Sequence, residues 1–152
     1  MNILFVCTGN SCRSVMAEFL LNKLAADRGL KEWEARSCGV AAERYFPIPG
    51  GVHKALGERG IAGVSHIPQL VTRELLKWAD AVLVMARGHK EFLLDEYPEF
   101  TGKVHLFSEY AGWEPRDIED PIGQPDPVYL ACCATLEKGT RSIIESHAAK
   151  EC

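Results

Sequence analysis

The sequence has no apolar run near the roughly 18 residues that a bilayer-spanning helix needs, so no such helix is expected. Its first residues, Met1 to Cys7, carry no basic segment, and their apolar run is too short for a secretory leader. A cytoplasmic location is the expectation. Positive charge is not in excess: 17 Lys and Arg face 21 Asp and Glu, for a formal net charge of −4. Neither nucleic acid nor an anionic membrane is therefore an expected partner. The six cysteines (7, 12, 38, 132, 133 and 152) include no C-x-x-C pair, and the five histidines are scattered. No metal site is predicted, and no cofactor. In a reducing compartment these cysteines read as thiols rather than as a disulfide framework. Repeats, low-complexity tracts and linker-like stretches are missing too, which predicts one domain over residues 1–152. Nothing in the sequence signals an oligomeric state.

What is present is an alternation of short apolar runs and amphipathic stretches. Asn2 to Cys7 contains Ile3-Leu4-Phe5-Val6 and reads as a buried strand. Val15, Met16, Phe19, Leu20 and Leu24 recur at helical spacing, which predicts a helix over 13–28 with Gly29 as its C-cap. A weaker strand is expected over 33–38, a helix over 51–59, and a short helix capped by Thr72. Residues 80–86 form the clearest buried strand, 90–96 a helix ending before Pro98, and 103–107 a fourth strand. Asp126-Pro127 opens a long C-terminal helix. This pattern predicts an α/β fold, a parallel sheet with helices on both faces. Such sheets bind ligands at the carboxyl ends of their strands, and Cys7 sits at one of those ends.

The segment that follows the first strand is Cys7-Thr8-Gly9-Asn10-Ser11-Cys12-Arg13-Ser14. Five residues between the cysteine and the arginine let the chain curl until successive N–H groups face one centre, an anion-binding nest. Thr8, Gly9, Asn10, Ser11, Cys12 and Arg13 would line it. The helix beginning at Arg13 adds its positive end, and the Arg13 guanidinium can hold two phosphate oxygens at once. Gly9 and Asn10 tolerate the left-handed conformations of a tight loop. Cys7, at the bottom of the cradle, is the expected nucleophile, its thiolate favoured by the helix end and the arginine. Ser14 could donate a hydrogen bond to the same sulfur. Attack by that thiolate on a phosphoryl group would give a phosphocysteine.

A leaving group still needs a proton. The carboxylates after the last strand are Asp117, Glu119, Asp120 and Asp126. Asp120 is favoured because Pro121 stiffens its loop. Asp126 also serves as the cap of the final helix, and Asp117 and Glu119 fit a solvated role, so the residues alone leave Asp120 and Asp126 in competition.

At these positions the sequence resembles the low-molecular-weight protein tyrosine phosphatase family over nearly its whole length. The Cys7–Ser14 loop and Asp120-Pro121 match the family's two signatures, and the Arg36-Ser37-x-Gly39-Val40 and Trp78-to-Met85 segments fit its pattern. The resemblance implies a four-stranded parallel sheet, Cys7 as nucleophile, Arg13 as phosphate clamp and Asp120 as acid and then base. It implies that Asn10 and Ser14 support the loop and thiolate, and that the partner is a phosphorylated protein. Three positions depart from the family's usual patterns, two of them, Ile122 and Ser11, from that of its tyrosine-directed members. Val15 stands where the family usually has proline, Ile122 where an aromatic commonly flanks the substrate ring, and Ser11 where a bulky aliphatic is common. Protein arginine phosphatases of the family carry threonine at that last position, so phosphotyrosine is the first expectation and phosphoarginine the alternative. Tyr45 and Phe46 either wall the substrate or cover the core.

Two further readings compete with a phosphatase. Thioredoxin-coupled arsenate reductases share the fold and the loop, but need two more cysteines after the third strand. Residues 85–92 hold none. A phosphate-sensing module without turnover would not need Cys7, Arg13 and Asp120 together. Cys12 either packs behind the loop as a small apolar residue or forms a disulfide with an oxidised Cys7.

Overall fold

The computed structural model describes residues 1–151, with side chains through residue 148. Cys152 lies outside the described residues. The elements run β1 (Asn2–Cys7), α1 (Arg13–Asp27), β2 (Glu34–Gly39), α2 (Gly50–Gly57), α3 (Arg73–Trp78) and β3 (Ala81–Val84). They continue with α4 (Arg87–Glu96), a 3-10 turn (Pro98–Lys103), β4 (Val104–Leu106), α5 (Phe107–Tyr110) and α6 (Asp126–Glu151). The four strands pair in parallel in the order β2-β1-β3-β4. From β1 the chain steps first to one side and then to the other, so the loop after β1 lies at the point where the winding reverses.

The pleat of β1 divides the core. Ile3, Phe5 and Cys7 face the layer built from α1, α2 and α6, with Met16, Leu21, Leu56, Cys133 and Leu136 against them. Leu4 and Val6 face α3 and α4, packed with Leu76, Val84 and Leu93. Residues 3–6 have no exposed surface, which explains why β1 reads as a continuous apolar run and not an alternating one.

The predicted elements all form, with shifted ends. Helix α4 starts three residues earlier than the apolar pattern suggests, at Arg87, because the His89 ring accepts the Ala86 N–H at 3.1 Å and closes its first turn. The fourth strand stops at Leu106, and Phe107 begins α5. Thr72 caps α3 as expected, its hydroxyl accepting the Leu75 N–H at 3.2 Å. Among the described residues no helix is long and apolar enough to cross a membrane.

Candidate active site

The loop from Cys7 to Arg13 joins the central strand to α1. The fold holds it at three places. Cys7 O and Thr8 O accept the N–H groups of Val40 and Ala41 at 3.0 and 2.9 Å, tying the loop to the end of β2. Gly39 permits that approach, since a Cβ there would lie 2.4 Å from Thr8 O. Asn10, at φ 55°, makes the left-handed turn. Gly9 was expected to share that role and has no positive φ; the one left-handed residue in the loop is Asn10. Among the described residues, no acceptor takes the N–H groups of Gly9, Asn10, Ser11 or Cys12, which leaves those donors for an anion.

The Asn10 side chain is buried and fully bonded. Its Oδ1 accepts the Gln69 N–H at 3.0 Å and His66 Nε2 at 2.8 Å. Its Nδ2 donates to Ser14 Oγ and Ser37 Oγ, each at 2.9 Å. Ser14 Oγ in turn lies 2.9 Å from Cys7 Sγ. Burial lowers the pKa of His66, which favours the neutral ring. Thr8 is held separately: its hydroxyl is 2.8 Å from His89 Nε2. Because His89 Nδ1 accepts a backbone N–H, the neutral ring carries its proton on Nε2 and donates to Thr8. Burial first, and the Arg13 charge second, push His89 down to about 4, so it stays neutral through the physiological range.

Arg13 is 6% exposed. Its Nη1 donates to Ile118 O at 2.9 Å, its Nη2 lies 3.5 Å from Asp120 Oδ2, and its Nε has no acceptor among the described residues. Nε and Nη2 form one edge of the guanidinium, the edge that takes two oxygens of a phosphate side by side. Asp120 is shaped by its own turn, with Oδ1 accepting the Ile122 N–H at 3.1 Å. The competing carboxylates are engaged elsewhere. Asp117 accepts the Arg87 N–H at 2.9 Å, and Asp126 pairs with Lys54 at 3.5 Å. Glu119 is exposed and lines a separate groove beside α6.

Cys7, Thr8, Gly9, Ser11, Cys12, Arg13 and Asp120 line one cavity of about 300 Å³, walled by Phe46, Pro47, Pro49 and Ile122. Tyr45 is not among the lining residues; it is 78% exposed and stands edge-on to the Phe46 ring at 5.2 Å. Of that pair, Phe46 faces the site. Burial pushes the Cys12 thiol up to about 11, so it stays protonated and packs as an apolar group. The redox alternative for Cys12 requires it to ionise against that burial. Cys38 is fully buried with its thiol pushed well up, and Cys133 is on the core-facing side of α6. Sequence reasoning missed the anchors His66, Gln69 and His89, and took Ser37 and Gly39 only as pattern matches. Each lies far along the chain from the loop it holds, and no local spacing marks it.

A family model described as low molecular weight phosphotyrosine protein phosphatase matches residues 2–151. A protein-arginine-phosphatase of Bacillus subtilis (strain 168) is 36% identical over 143 residues, 94% of each chain. A low molecular weight protein tyrosine phosphatase from T. tengcongensis superposes with a TM-score of 0.90 at 41% identity, covering 96% of this chain and 99% of that one. A YwlE arginine phosphatase, a cysteine-to-serine mutant with a phosphorylated active site serine, superposes with a TM-score of 0.91 at 34% identity over 96% and 95% of the two chains. On this family match and these full-length likenesses, the chain belongs to the low molecular weight phosphotyrosine protein phosphatases and is a cysteine-based protein phosphatase.

Proposed function

We propose that Cys7 attacks the phosphorus of a phosphorylated protein side chain and carries the phosphoryl group as a phosphocysteine. The observation that carries this reading is one cavity lined by Cys7, Gly9, Ser11, Cys12 and Arg13, where the loop N–H groups have no acceptor among the described residues and Arg13 Nε is unpaired. The phosphoryl oxygens take those donors, which are fixed before substrate arrives and so need no reorganisation as charge moves. The sulfur displaces the leaving atom in line, and the Asp120 carboxyl gives that atom its proton. A water then attacks phosphorus, the Asp120 carboxylate takes a proton from it, and the Cys7 thiolate leaves. The Ser14 hydroxyl, 2.9 Å from that sulfur, donates to the thiolate and stabilises it as it departs.

For the substrate, the cavity walls favour phosphoarginine. Its leaving guanidinium is rich in N–H donors and cationic once protonated, and it meets the Ser11 hydroxyl and the Asp120 carboxylate among the lining residues. Phosphotyrosine would stack its ring between aromatic walls, and Phe46 is the one aromatic that lines the cavity. The relay of an arsenate reductase has less support, since no cysteine lies in residues 85–92. The test is kcat/KM on matched phosphoarginine and phosphotyrosine peptides, for wild type, Ser11→Thr and Ser11→Ile. Wild type and Ser11→Thr should prefer phosphoarginine, and Ser11→Ile should shift the ratio toward phosphotyrosine. An unchanged ratio in Ser11→Ile overturns the substrate reading. Turnover retained by Cys7→Ser overturns the mechanism.

A further inference from the structure

One side chain bonded into the loop's support plays no part in the steps above. Glu18, half-buried on α1, lies beside β2, and its Oε1 accepts the Ser37 hydroxyl at 2.8 Å. Ser37 is fully buried, and its oxygen is the second acceptor of the Asn10 amide.

A single obligate donor sets the orientation of the Asn10 amide. The Gln69 N–H can only donate, so the amide end of Asn10 facing it is the oxygen. The Asn10 nitrogen must then face Ser14 and Ser37, donating one proton to each. Both serine oxygens are thereby acceptors from Asn10, and each hydroxyl proton turns outward. That of Ser37 goes to Glu18, and that of Ser14 goes to Cys7 Sγ once the sulfur is a thiolate, which can only accept. Glu18 and the reactive sulfur are thus the two ends of one oriented chain, both drawing protons away from a shared amide.

We propose that Glu18 is a positioning residue for the nucleophile: its carboxylate fixes the orientation of Ser37 and, through Asn10, of the Ser14 hydroxyl that donates to Cys7. When Glu18 is ionised it can only accept, so Ser37 has no choice but to donate to it and present its lone pair to Asn10. When Glu18 is protonated it can itself donate to Ser37, the Ser37 proton is freed to rotate, and the acceptor seen by Asn10 weakens. Chains of this kind strengthen bond by bond. The groups facing Glu18 are the hydroxyl of Ser37 and, from β2, Arg36 and Glu34, of opposite effect; from the far side of Asn10 comes His66. Burial outweighs the Ser37 hydrogen bonds and the Arg36 charge, and pushes Glu18 up to about 7. The chain therefore changes state within the physiological range.

This inference rests on the reading of Cys7 as nucleophile, and the experiment separates the two. The rate of Cys7 alkylation by iodoacetate, read by peptide mass, and the kcat for p-nitrophenyl phosphate are followed from pH 5 to 9 in wild type, Glu18→Gln, Ser37→Ala and the double variant. Glutamine keeps the side-chain shape while fixing it neutral, so the test does not depend on Ser37→Ala folding well. Wild type should show an inflection near pH 7 that Glu18→Gln lacks, with kcat about threefold to tenfold lower in that variant at pH 8 and KM unchanged, the size of one neutral hydrogen bond. The double variant should be no worse than Ser37→Ala alone. An unaltered inflection in Glu18→Gln, or effects of the two substitutions that multiply in full, overturns the role of Glu18. Cys7→Ser retaining hydrolysis overturns the nucleophile instead.

Discussion

Arg13 and Asp120 meet at the mouth of the cavity, Nη2 to Oδ2 at 3.5 Å, the arginine buried and the aspartate 41% exposed. An anion settling on the Nε–Nη2 edge competes with Asp120 for the same donor. On the proposed mechanism, substrate binding loosens the aspartate as its carboxyl is needed at the leaving atom. Exposure gives it the room to turn.

Asp120→Asn should lower kcat on a phosphopeptide about 10²- to 10³-fold, within the usual range for a lost general acid. The loss of phosphocysteine formation should be far smaller with p-nitrophenyl phosphate, whose leaving phenoxide needs little help from a proton. Stopped-flow release of p-nitrophenol reads that first step directly. Equal losses on both substrates would mean that Asp120 does not supply the proton.

Ser14→Ala removes the donor to Cys7 Sγ and leaves one Asn10 N–H unpaired in a buried site. The breakdown of the phosphocysteine should slow about tenfold, since the sulfur then leaves without a hydrogen bond. A burst of p-nitrophenol approaching one per enzyme molecule would show this, and a linear trace at the wild-type rate would contradict it.

Gly39→Ala should damage turnover more than stability. The new methyl would lie 2.4 Å from Thr8 O, so either the strand end or the loop must move, and either shift disturbs the cradle. We expect weaker binding of inorganic phosphate and a kcat/KM at least tenfold lower, roughly the cost of misplacing reacting groups. Isothermal titration with phosphate, beside thermal melting, separates the two effects.

Two titratable groups pull the pH dependence of stability in opposite directions. His89 falls from an ordinary 6.5 to about 4 on folding, so between those values the unfolded chain binds more protons and stability is lost as pH falls. Glu18 rises from 4.5 to about 7, so the folded chain binds more protons there and stability is lost as pH rises. Each contributes on the order of 1–3 kcal/mol across its window. Urea unfolding at pH 5 and pH 8 should show Glu18→Gln gaining on wild type at the higher pH. His89→Gln, which cannot take the proton, should gain on wild type at the lower pH. Parallel profiles for all three proteins would refute both assignments.

The parts of the site that lie in one stretch of chain were legible in the sequence. Cys7 to Ser14 announces itself because strand, nest and helix follow one another in eight residues. The residues alone leave Asp120 and Asp126 in competition, the family resemblance favours Asp120, and in the structure Asp126 pairs with Lys54. The anchors were not legible, because Ser37, His66, Gln69 and His89 reach the loop only through pairing and packing across the fold. The fold class followed from β1 and β3, whose unbroken apolar runs require cover on both faces. The end of β4 did not, since Phe107 suits a strand by propensity and instead turns into α5, its ring tilted over Phe5 at 6.1 Å. Tertiary packing overrides propensity there.

The grip of Gln69 and His66 on Asn10 has a consequence for the stretch between α2 and α3. Residues 61–72 contain no helix or strand of their own, and by ordinary expectation such a connection tolerates insertions. This one does not hang free. Lengthening it by even a residue would drag the two contacts away from the turn beneath the reactive thiol, so a change made in a plain surface connection would be felt as lost chemistry in a protein that still folds.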